Sequence, residues 1–298
     1  MNYIISGQEG LIGTFLEKRL TERGDTKVMS VDNRRGFNIL NLDAMQLNQD
    51  TQPVDMFIHM AAHCKINEGT ENPALPHKNN ADGIVSILEF CRKHNIPNIL
   101  TASSSRVLSP ERNPYVASKI YLEEMTKAFH DCYGLDFLTF RPSGVYGPGE
   151  DKTGRAINNF ITSAFKGNNI RIYGDKNKTL DFTYIDDFLD GMQLAMDGPW
   201  NEIYNISGDK EVNLTWLAEH IIDEVGSNSK IIHLNAERTQ PQRVSVDNSL
   251  LRELGYKPKV CIREGIEKMI SFYEQNPEAW KNYKDTGDKF YGGKTNAK

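Results

Sequence analysis

Short apolar segments alternate with segments of helical periodicity along the first half of the chain. Several segments are short apolar runs of the kind that form buried strands; they cover residues 3–6, 27–31, 56–60, 98–102 and 137–140. Between these runs, apolar residues recur at helical spacing over residues 84–94 and 115–133. Strands that alternate with helices predict a parallel sheet with helices packed on both faces. We therefore expect an α/β fold with a doubly wound parallel sheet.

The sequence changes character after residue 142. The loop that follows is rich in Pro and Gly, and the later predicted elements are shorter. We expect a smaller α/β C-terminal domain in this part, preceded by a larger domain built on the sheet. The predicted division is residues 1–165 with a return segment near 181–206, then residues 166–280, then a polar and flexible tail over 281–298.

Composition excludes some classes of partner. The chain has 298 residues and a formal net charge of −5, which argues against nucleic acid, because phosphate binding calls for a basic face. The mean hydropathy is −0.54, and no apolar run approaches the roughly 18 residues of a membrane span. The four cysteines form no CxxC pair. We expect a cytoplasmic protein with reduced cysteines, no membrane partner and no metal.

A cluster of glycines follows the first predicted strand directly. Gly7, Gly10 and Gly13 are spaced GxxGxxG and lead into a helix that begins near Leu11. Such a turn lets the backbone approach a diphosphate, and the helix start offers free N–H groups. We interpret the segment as a dinucleotide-binding turn; because the spacing is not GxGxxG, an ordinary β–α turn is the alternative.

An acidic residue ends the second predicted strand. Asp32 lies about 20 residues past the glycines, where a carboxylate accepts hydrogen bonds from an adenosine ribose. This favours NAD, since Asp32 would repel the 2′-phosphate of NADP. Arg34 and Arg35 could pair with that phosphate, so NADP is the less favoured alternative.

Tyr115 and Lys119 are one helical turn apart in a predicted helix. A neighbouring ammonium would lower the tyrosine pKa from about 10 toward neutrality, which predicts a general base. Asn113 and Pro114 are typical of an N-cap and a first helical residue. Tyr115 is therefore expected at a helix start that faces a cleft.

Over residues 1–275 the chain resembles the NAD-dependent sugar epimerase/dehydratase group of the extended short-chain dehydrogenase/reductase family. The resemblance depends on an ordered set of motifs: the glycine turn, Asp32, the residues 54–62, Asn80, the serines 103–105, Tyr115 with Lys119, and the residues 145–148, 172–175 and 181–187. It implies a Rossmann-type fold, NAD as cofactor and a nucleotide sugar as substrate. It also implies a homodimer formed through the helices near 84–94 and 115–133.

Roles for individual residues follow from the resemblance. Ser104 is similar to the hydroxyl that contacts the reacting oxygen, Tyr115 to the base, and Lys119 to the residue that holds the nicotinamide ribose. Further cofactor contacts are implied at Leu11, Ile12, Asn33, Asn38, Ile39, Met60, Ala61, Ala62, Asn80 and Pro142. Substrate contacts are implied at Ser104, Ser105, Arg106, Gly144, Arg171 and Arg238.

The residues after Ser104 discriminate among reactions in this group. Dehydratases of the family carry an acid and a base there, whereas this chain has Ser105 and Arg106. An epimerase needs only hydride removal and return, so we favour epimerisation at C4. The alternatives are a keto-sugar reductase or dehydrogenase, a dehydratase, and, more remotely, a scaffold that binds the dinucleotide without catalysis.

The chain departs from the family pattern at two substrate contacts. Leu180 stands where UDP-sugar epimerases usually carry an arginine that meets the diphosphate, and Gly144 stands where asparagine is usual. The candidates to supply the missing cationic contact are Arg106, Arg171, Arg238 and Arg243. The gap between Ser104 and Tyr115 is also shorter than usual, which predicts a more open pocket.

Overall fold

A parallel sheet forms the centre of the molecule. The computed structural model describes residues 1–44, 53–149, 153–235, 246–281 and 283. The strands are β1 (Asn2–Ser6), β2 (Thr26–Val31), β3 (Met56–His59), β4 (Asn98–Ala102), β5 (Asp136–Pro142), β6 (Val145–Tyr146), β7 (Ile170–Tyr173), β8 (Thr179–Leu180), β9 (Thr183–Tyr184), β10 (Glu202–Ile206), β11 (Val212–Asn213) and β12 (Ile231–Leu234). Six of these form the central sheet in the order β10-β5-β4-β3-β1-β2, with every neighbouring pair parallel.

Helices connect the strands and cover both faces of the sheet. The α-helices are α1 (Leu11–Glu22), α2 (Ile66–Glu71), α3 (Ala74–Pro76), α4 (Gly83–Lys93), α5 (Pro114–Tyr133), α6 (Ala156–Phe165), α7 (Ile185–Met196), α8 (Leu214–Val225), α9 (Ser249–Glu253), α10 (Ile262–Gln275) and α11 (Pro277–Lys281). Turns of 3₁₀ or π geometry cover Asn33–Arg35, Ile39–Ala44, His77–Asp82 and Ser105–Leu108.

Alternating strand residues supply two hydrophobic cores, one on each face of the sheet. Tyr3 and Ile5 of β1 belong to one core, and Ile4 belongs to the other. All three side chains are fully buried. Because successive side chains of a strand point to opposite faces, a sheet buried on both sides requires such nearly continuous apolar strands. The predicted doubly wound α/β fold is confirmed.

The order of the strands determines where a ligand can bind. β1 pairs with β2 on one side and with β3 on the other, so the connections leave β1 in opposite directions. A crevice forms at such a switch point, beyond the carboxyl ends of the strands. The glycine turn after β1 and the loop after β3 both lie at this edge.

The chain after residue 142 builds smaller pairs of strands and then returns to the sheet. β6 pairs with β9, β7 with β12, and β8 with β11. β10 pairs in parallel with β5, from Glu202 opposite Leu138 to Ile206 opposite Pro142. Ile170 and Ile172 of β7 and Leu217 of α8 belong to the same core as Tyr3 and Ile5 of β1. The domain boundaries stay a prediction.

The early elements begin and end close to where the sequence predicts them. The strand at 98–102 matches β4, and the helix predicted at 115–133 is α5, which begins one residue earlier. Of the predicted tail, only Lys281 and Tyr283 lie within the described residues. The Tyr283 hydroxyl donates to Asn159 Oδ1 at 2.5 Å, and its carbonyl accepts from Lys166 Nζ at 2.7 Å. None of the described helices is both long and apolar enough to cross a membrane.

Candidate active site

The glycine turn after β1 packs tightly against the loop after β3. Gly7 has a φ of +79°, and a Cβ there would lie 2.5 Å from the backbone nitrogen of Ala61. At Gly13, a Cβ would lie 2.2 Å from the carbonyl oxygen of Gly7. Larger residues would therefore force apart the turn, α1 and the β3 loop.

The start of α1 is suited to an anion. Gly10 is its N-cap and makes no side-chain cap, and the first turn carries no acidic residue. The N–H groups of Leu11 and Ile12 have no carbonyl ahead of them in the helix and point toward the turn. Glycine at the cap, free N–H groups and the helix dipole together fit the diphosphate of a dinucleotide.

The carboxylate after β2 is held in place by backbone donors. Asp32 is buried, and it accepts hydrogen bonds from the N–H groups of Glu9 at 3.2 Å and Arg34 at 3.0 Å. Glu9 is partly exposed and forms an ion pair with Arg35 at 2.5 Å. The Arg34 guanidinium donates to the Glu9 carbonyl at 2.6 Å. Because both arginines are engaged by the turn, this end of the site fits NAD better than NADP.

The loop after β3 is fastened to α5 by one asparagine. Asn80 is 1% exposed. Its Oδ1 accepts from the N–H of His63 at 2.8 Å, and its Nδ2 donates to the His63 carbonyl at 3.0 Å and to Ser118 Oγ at 2.9 Å. Ser118 in turn donates to the Tyr115 carbonyl at 2.7 Å. Asn80 thus fixes the loop that contains Met60 and Ala61 relative to α5.

The remaining predicted cofactor residues lie around the same edge of the sheet. Asn33 is exposed in the turn after Asp32, and the side chain of Asn38 accepts from Leu40 N–H at 2.9 Å. The Ile39 side chain is buried in the core beside α4, and its carbonyl accepts from Ser86 Oγ at 2.7 Å. Their contacts with a cofactor stay predictions, as do those of Ala62, which is exposed, and of Pro142, which ends β5.

Three elements bring the predicted catalytic side chains together. Ser104 follows β4 and caps the turn Ser105–Leu108, with its Oγ accepting from Arg106 N–H at 3.3 Å. Tyr115 lies in the first turn of α5, which Asn113 caps by accepting from Val116 N–H at 2.9 Å. The hydroxyl groups of Ser104 and Tyr115 are hydrogen-bonded to each other. Ser104, Tyr115 and Lys119 are all buried.

Burial changes the protonation that the sequence predicts for this cluster. Lys119 Nζ donates to the Ala102 carbonyl at 2.6 Å, and burial lowers its pKa to about 8. The pKa of Tyr115 is raised, mainly by burial and further by the nearby Cys64. The predicted lowering of the Tyr115 pKa by Lys119 is therefore wrong for the protein without a ligand. A lysine with a pKa of about 8 is mostly neutral at the higher pH at which a buried tyrosine ionises.

Other groups favour the tyrosinate. The hydrogen bond from Ser104 lowers the Tyr115 pKa, as do the positive charges of Arg106 and Arg155. Arg155 precedes α6 and lines the same cavity as Tyr115. Sequence analysis missed Arg155, because it lies in a loop without periodicity.

A buried ion pair supports the strand ends behind the cluster. Glu123 of α5 is 4% exposed. It accepts two hydrogen bonds from Arg141, at 2.8 and 2.5 Å, and one from Ser103 Oγ at 2.5 Å. This network joins α5 to the residue before Ser104 and to β5.

A large cavity lies in front of Ser104 and Tyr115. It brings together most of the predicted substrate residues, and its lining includes Ser104, Ser105, Arg106, Gly144 and Arg171. Cys64 and Asp181, for which the sequence predicts no role, also line it. Arg238 and Arg243 lie outside the described residues.

The backbone explains why glycine replaces asparagine at position 144. Gly144 has a φ of +40°, and a Cβ there would lie 2.3 Å from the Asp181 carbonyl oxygen. A side chain at this position would push the β5 end away from the 181–184 segment. The cavity wall therefore lacks the amide side chain that an asparagine would place here. In its place, the end of β5 packs closely against the 181–184 segment.

The two histidines near the site are placed differently from each other. His59 is 1% exposed and shares a hydrogen bond of 2.8 Å with Ser6 Oγ through Nδ1. His63 lies 3.9 Å from a carboxylate oxygen of Glu68. Among the described residues, no three His, Cys, Asp or Glu side chains are grouped as a metal site would require.

The fold and site together define a dinucleotide-dependent enzyme of the extended short-chain dehydrogenase/reductase type. Residues 3–207 match the model of the family described as the NAD dependent epimerase/dehydratase family. This match covers more than half of the chain, so the chain belongs to that family.

Two related sequences and one solved structure align with this chain over nearly their whole length. A Methanocaldococcus jannaschii protein that carries the provisional name UDP-glucose 4-epimerase is 29% identical over 302 aligned positions, which cover 92% of this chain and 98% of that protein. The UDP-glucuronate 4-epimerase of Thermodesulfobacterium geofontis is 25% identical over 321 positions, which cover 95% and 99%. The crystal structure of UDP-glucose 4-epimerase with UDP-glucose from Thermotoga maritima has a TM-score of 0.86 at 23% identity and covers 93% and 100%. This last likeness confirms the Rossmann-type fold.

Proposed function

We propose that this protein is an NAD-dependent nucleotide-sugar epimerase that inverts C4 of the sugar. The observation that carries the proposal is the buried group of Ser104, Tyr115 and Lys119 at the edge of the sheet that also holds the glycine turn. Membership in the family and the names of related proteins support it. The residues that follow Ser104 are Ser105 and Arg106, which offer no carboxylic acid for a dehydration.

The cofactor site is proposed to hold NAD. Gly7, Gly10, Gly13 and the start of α1 would hold its diphosphate, and Asp32 its adenosine ribose. Lys119 and Asn80 would support the nicotinamide end. When bound, NAD supplies a reversible acceptor for a hydride from the sugar carbon.

The protein's own residues move the proton and hold the sugar oxygen. Tyr115 is proposed to take the proton of the C4 hydroxyl and to return it after the sugar turns its other face. Ser104, already hydrogen-bonded to Tyr115, would bind the same oxygen. Arg106 and Arg155 stabilise the tyrosinate that proton transfer requires. No proton needs to leave the cavity, since the reaction is an isomerisation.

The variant Tyr115→Phe tests the proposed role of the phenol. We expect turnover to fall by at least about a hundredfold, because general-base catalysis contributes about 10²–10⁴-fold. NAD content, measured by mass spectrometry after denaturation, should stay unchanged. Tyr121→Phe, on the exposed side of the same helix, is the control. Full activity of Tyr115→Phe would contradict the mechanism, and net formation of NADH or of a dehydrated sugar would favour a dehydrogenase or a dehydratase.

We further propose that the protein forms a homodimer in the cytoplasm through α4 and α5. Tyr133 of α5 is 57% exposed, and Arg92 of α4 lies over its ring at 5.4 Å, so the two helices present a joint apolar and cationic surface. Light scattering would measure the dimer, and a strictly monomeric mass would contradict it. Cell fractionation would test the location.

A further inference from the structure

One large apolar side chain is exposed beside the proposed ribose site. Phe37 lies in the segment that follows Asp32, and 47% of its surface is exposed. It is the only exposed phenylalanine among the described residues, and it belongs to none of their three hydrophobic clusters. A single exposed apolar residue is common on protein surfaces. The surroundings of Phe37 therefore decide whether its ring has a function.

Hydrogen bonds hold the backbone on both sides of Phe37. The Phe37 N–H donates to the Asp32 carbonyl at 3.1 Å, and the same carbonyl accepts from the N–H of Arg35 at 2.9 Å. On the other side, Asn38 Oδ1 accepts from the N–H of Leu40 at 2.9 Å. The exposure of the ring is thus a property of a hydrogen-bonded turn.

The neighbouring side chains are engaged elsewhere. The Arg34 guanidinium donates to the Glu9 carbonyl at 2.6 Å, and Arg35 forms an ion pair with the Glu9 carboxylate, so both side chains reach back to the glycine turn. The Ile39 side chain is buried in the core beside α4. None of the cation–π contacts between described residues involves Phe37. The ring therefore stays open to a ligand.

The same turn places Phe37 near the expected position of the adenine of NAD. Asp32 is proposed to accept hydrogen bonds from the hydroxyl groups of the adenosine ribose, and the adenine is attached to the next carbon of that ribose. The base therefore lies within reach of the side chains that adjoin Asp32. Asn33 and Asn38 are predicted to contact this end of the cofactor, and between them Phe37 is the only large apolar residue.

We propose that the ring of Phe37 stacks on the adenine and so holds the adenosine end of NAD. The proposal rests on NAD as the cofactor and on the proposed ribose site at Asp32. A purine and a phenyl ring that stack cover apolar faces of each other, and the contact needs no hydrogen bond to the base. Phe37 is thus a positioning residue for the cofactor, and it has no contact with the reacting carbon.

Calorimetric titration of the cofactor-free protein with NAD tests the proposal. We expect Phe37→Ala to weaken NAD binding at least about fivefold, as loss of a stack between a base and an aromatic side chain implies. Phe37→Leu, which keeps an apolar side chain without the flat ring, should also weaken it, whereas Phe37→Tyr should bind NAD as wild type does. At saturating NAD, kcat should stay unchanged in all three variants. Leu250→Ala, at an exposed apolar position on α9, is the control.

ADP-ribose, which has the adenine but no nicotinamide, provides a second readout. Its affinity should fall by the same factor as that of NAD in Phe37→Ala, and in Phe37→Trp it should quench the emission of the added indole. An affinity of Phe37→Ala for NAD equal to that of Leu250→Ala, or an unquenched indole, overturns the proposal while NAD stays the cofactor. If wild type binds neither NAD nor ADP-ribose, the cofactor assignment fails and the proposal fails with it.

Discussion

Burial shifts the pKa values of the basic and the acidic side chains of the site in opposite directions. It lowers the pKa of Lys119 to about 8 and raises that of Tyr115. It lowers the pKa of His59 to about 3, helped by the positive charge of Lys119. Each of these shifts opposes the charged form, because a buried charge loses its hydration. The folded site therefore favours the neutral forms of Tyr115 and His59, and among the nearby charges Arg106 and Arg155 act in the other direction on Tyr115 by lowering its pKa.

The buried His59 should make the protein sensitive to acid. Below about pH 6.5, the ordinary histidine pKa, the unfolded chain binds a proton at this residue, whereas the folded chain binds it only near pH 3. The free energy of unfolding should thus fall as the pH drops through this window, by about 2 kcal/mol at about pH 5, and be unaffected above it. Urea unfolding of wild type and His59→Gln at about pH 7 and about pH 5 measures the difference. His77→Gln, an exposed histidine, is the control, and equal acid sensitivity of wild type and His59→Gln would contradict the prediction.

Gly144 should be intolerant of the asparagine that is usual in the family. Gly144→Asn places a Cβ 2.3 Å from the Asp181 carbonyl oxygen, so we expect a loss of about 1–3 kcal/mol in the free energy of unfolding. Gly167 has a similar backbone, with a φ of +65°, but open space around its Cβ position. Gly167→Asn should therefore cost far less. A Gly144→Asn variant as stable as Gly167→Asn would show that the two walls of the cavity are not in close contact.

At the scale of elements, the site is assembled from the ends of strands and the start of one helix. The sequence predicts β1, β4 and α5 well, because buried strands are continuous apolar runs and α5 has the Asn113 cap and the proline at N1. It predicts the later strands poorly, since β6, β8, β9 and β11 have only two residues each. Such short pairs depend on tertiary contacts that no local pattern encodes. The position of Arg155 beside Tyr115 depends on those contacts.

The contact between the β3 loop and α5 should depend on Asn80. Asn80→Ala removes three hydrogen bonds and leaves the partly buried backbone groups of His63 without this partner. We expect a loss of about 2–3 kcal/mol in stability and weaker binding of NAD. Asn79→Ala, the neighbour whose side chain bonds only to the Leu75 carbonyl among the described residues, should cost about 1 kcal/mol or less. Equal losses of stability in the two variants would show that Asn80 does not hold the β3 loop against α5.

At the scale of the whole molecule, one continuous core joins the sheet to the later part of the chain. Ile5 of β1, Ile170 of β7 and Leu217 of α8 belong to the same buried cluster. The cavity lies where this core reaches the surface, with the β4 and α5 residues on one side and the β7 and β8 residues on the other. The cavity thus combines side chains from different parts of the sequence. The motifs of the first part predict Ser104 and Tyr115, whereas Arg155 could be placed beside them only once the walls were seen together.

The central claim is that hydride leaves and returns to the same carbon of a nucleotide sugar. The most direct test uses UDP-glucose with deuterium at C4, incubated with the NAD-loaded protein and followed by NMR and mass spectrometry. We predict an inverted C4 that keeps its deuterium, with no change in mass and no accumulation of NADH. Loss of the deuterium to solvent, a decrease in mass, or a product with unchanged C4 configuration and reduced cofactor would contradict the account.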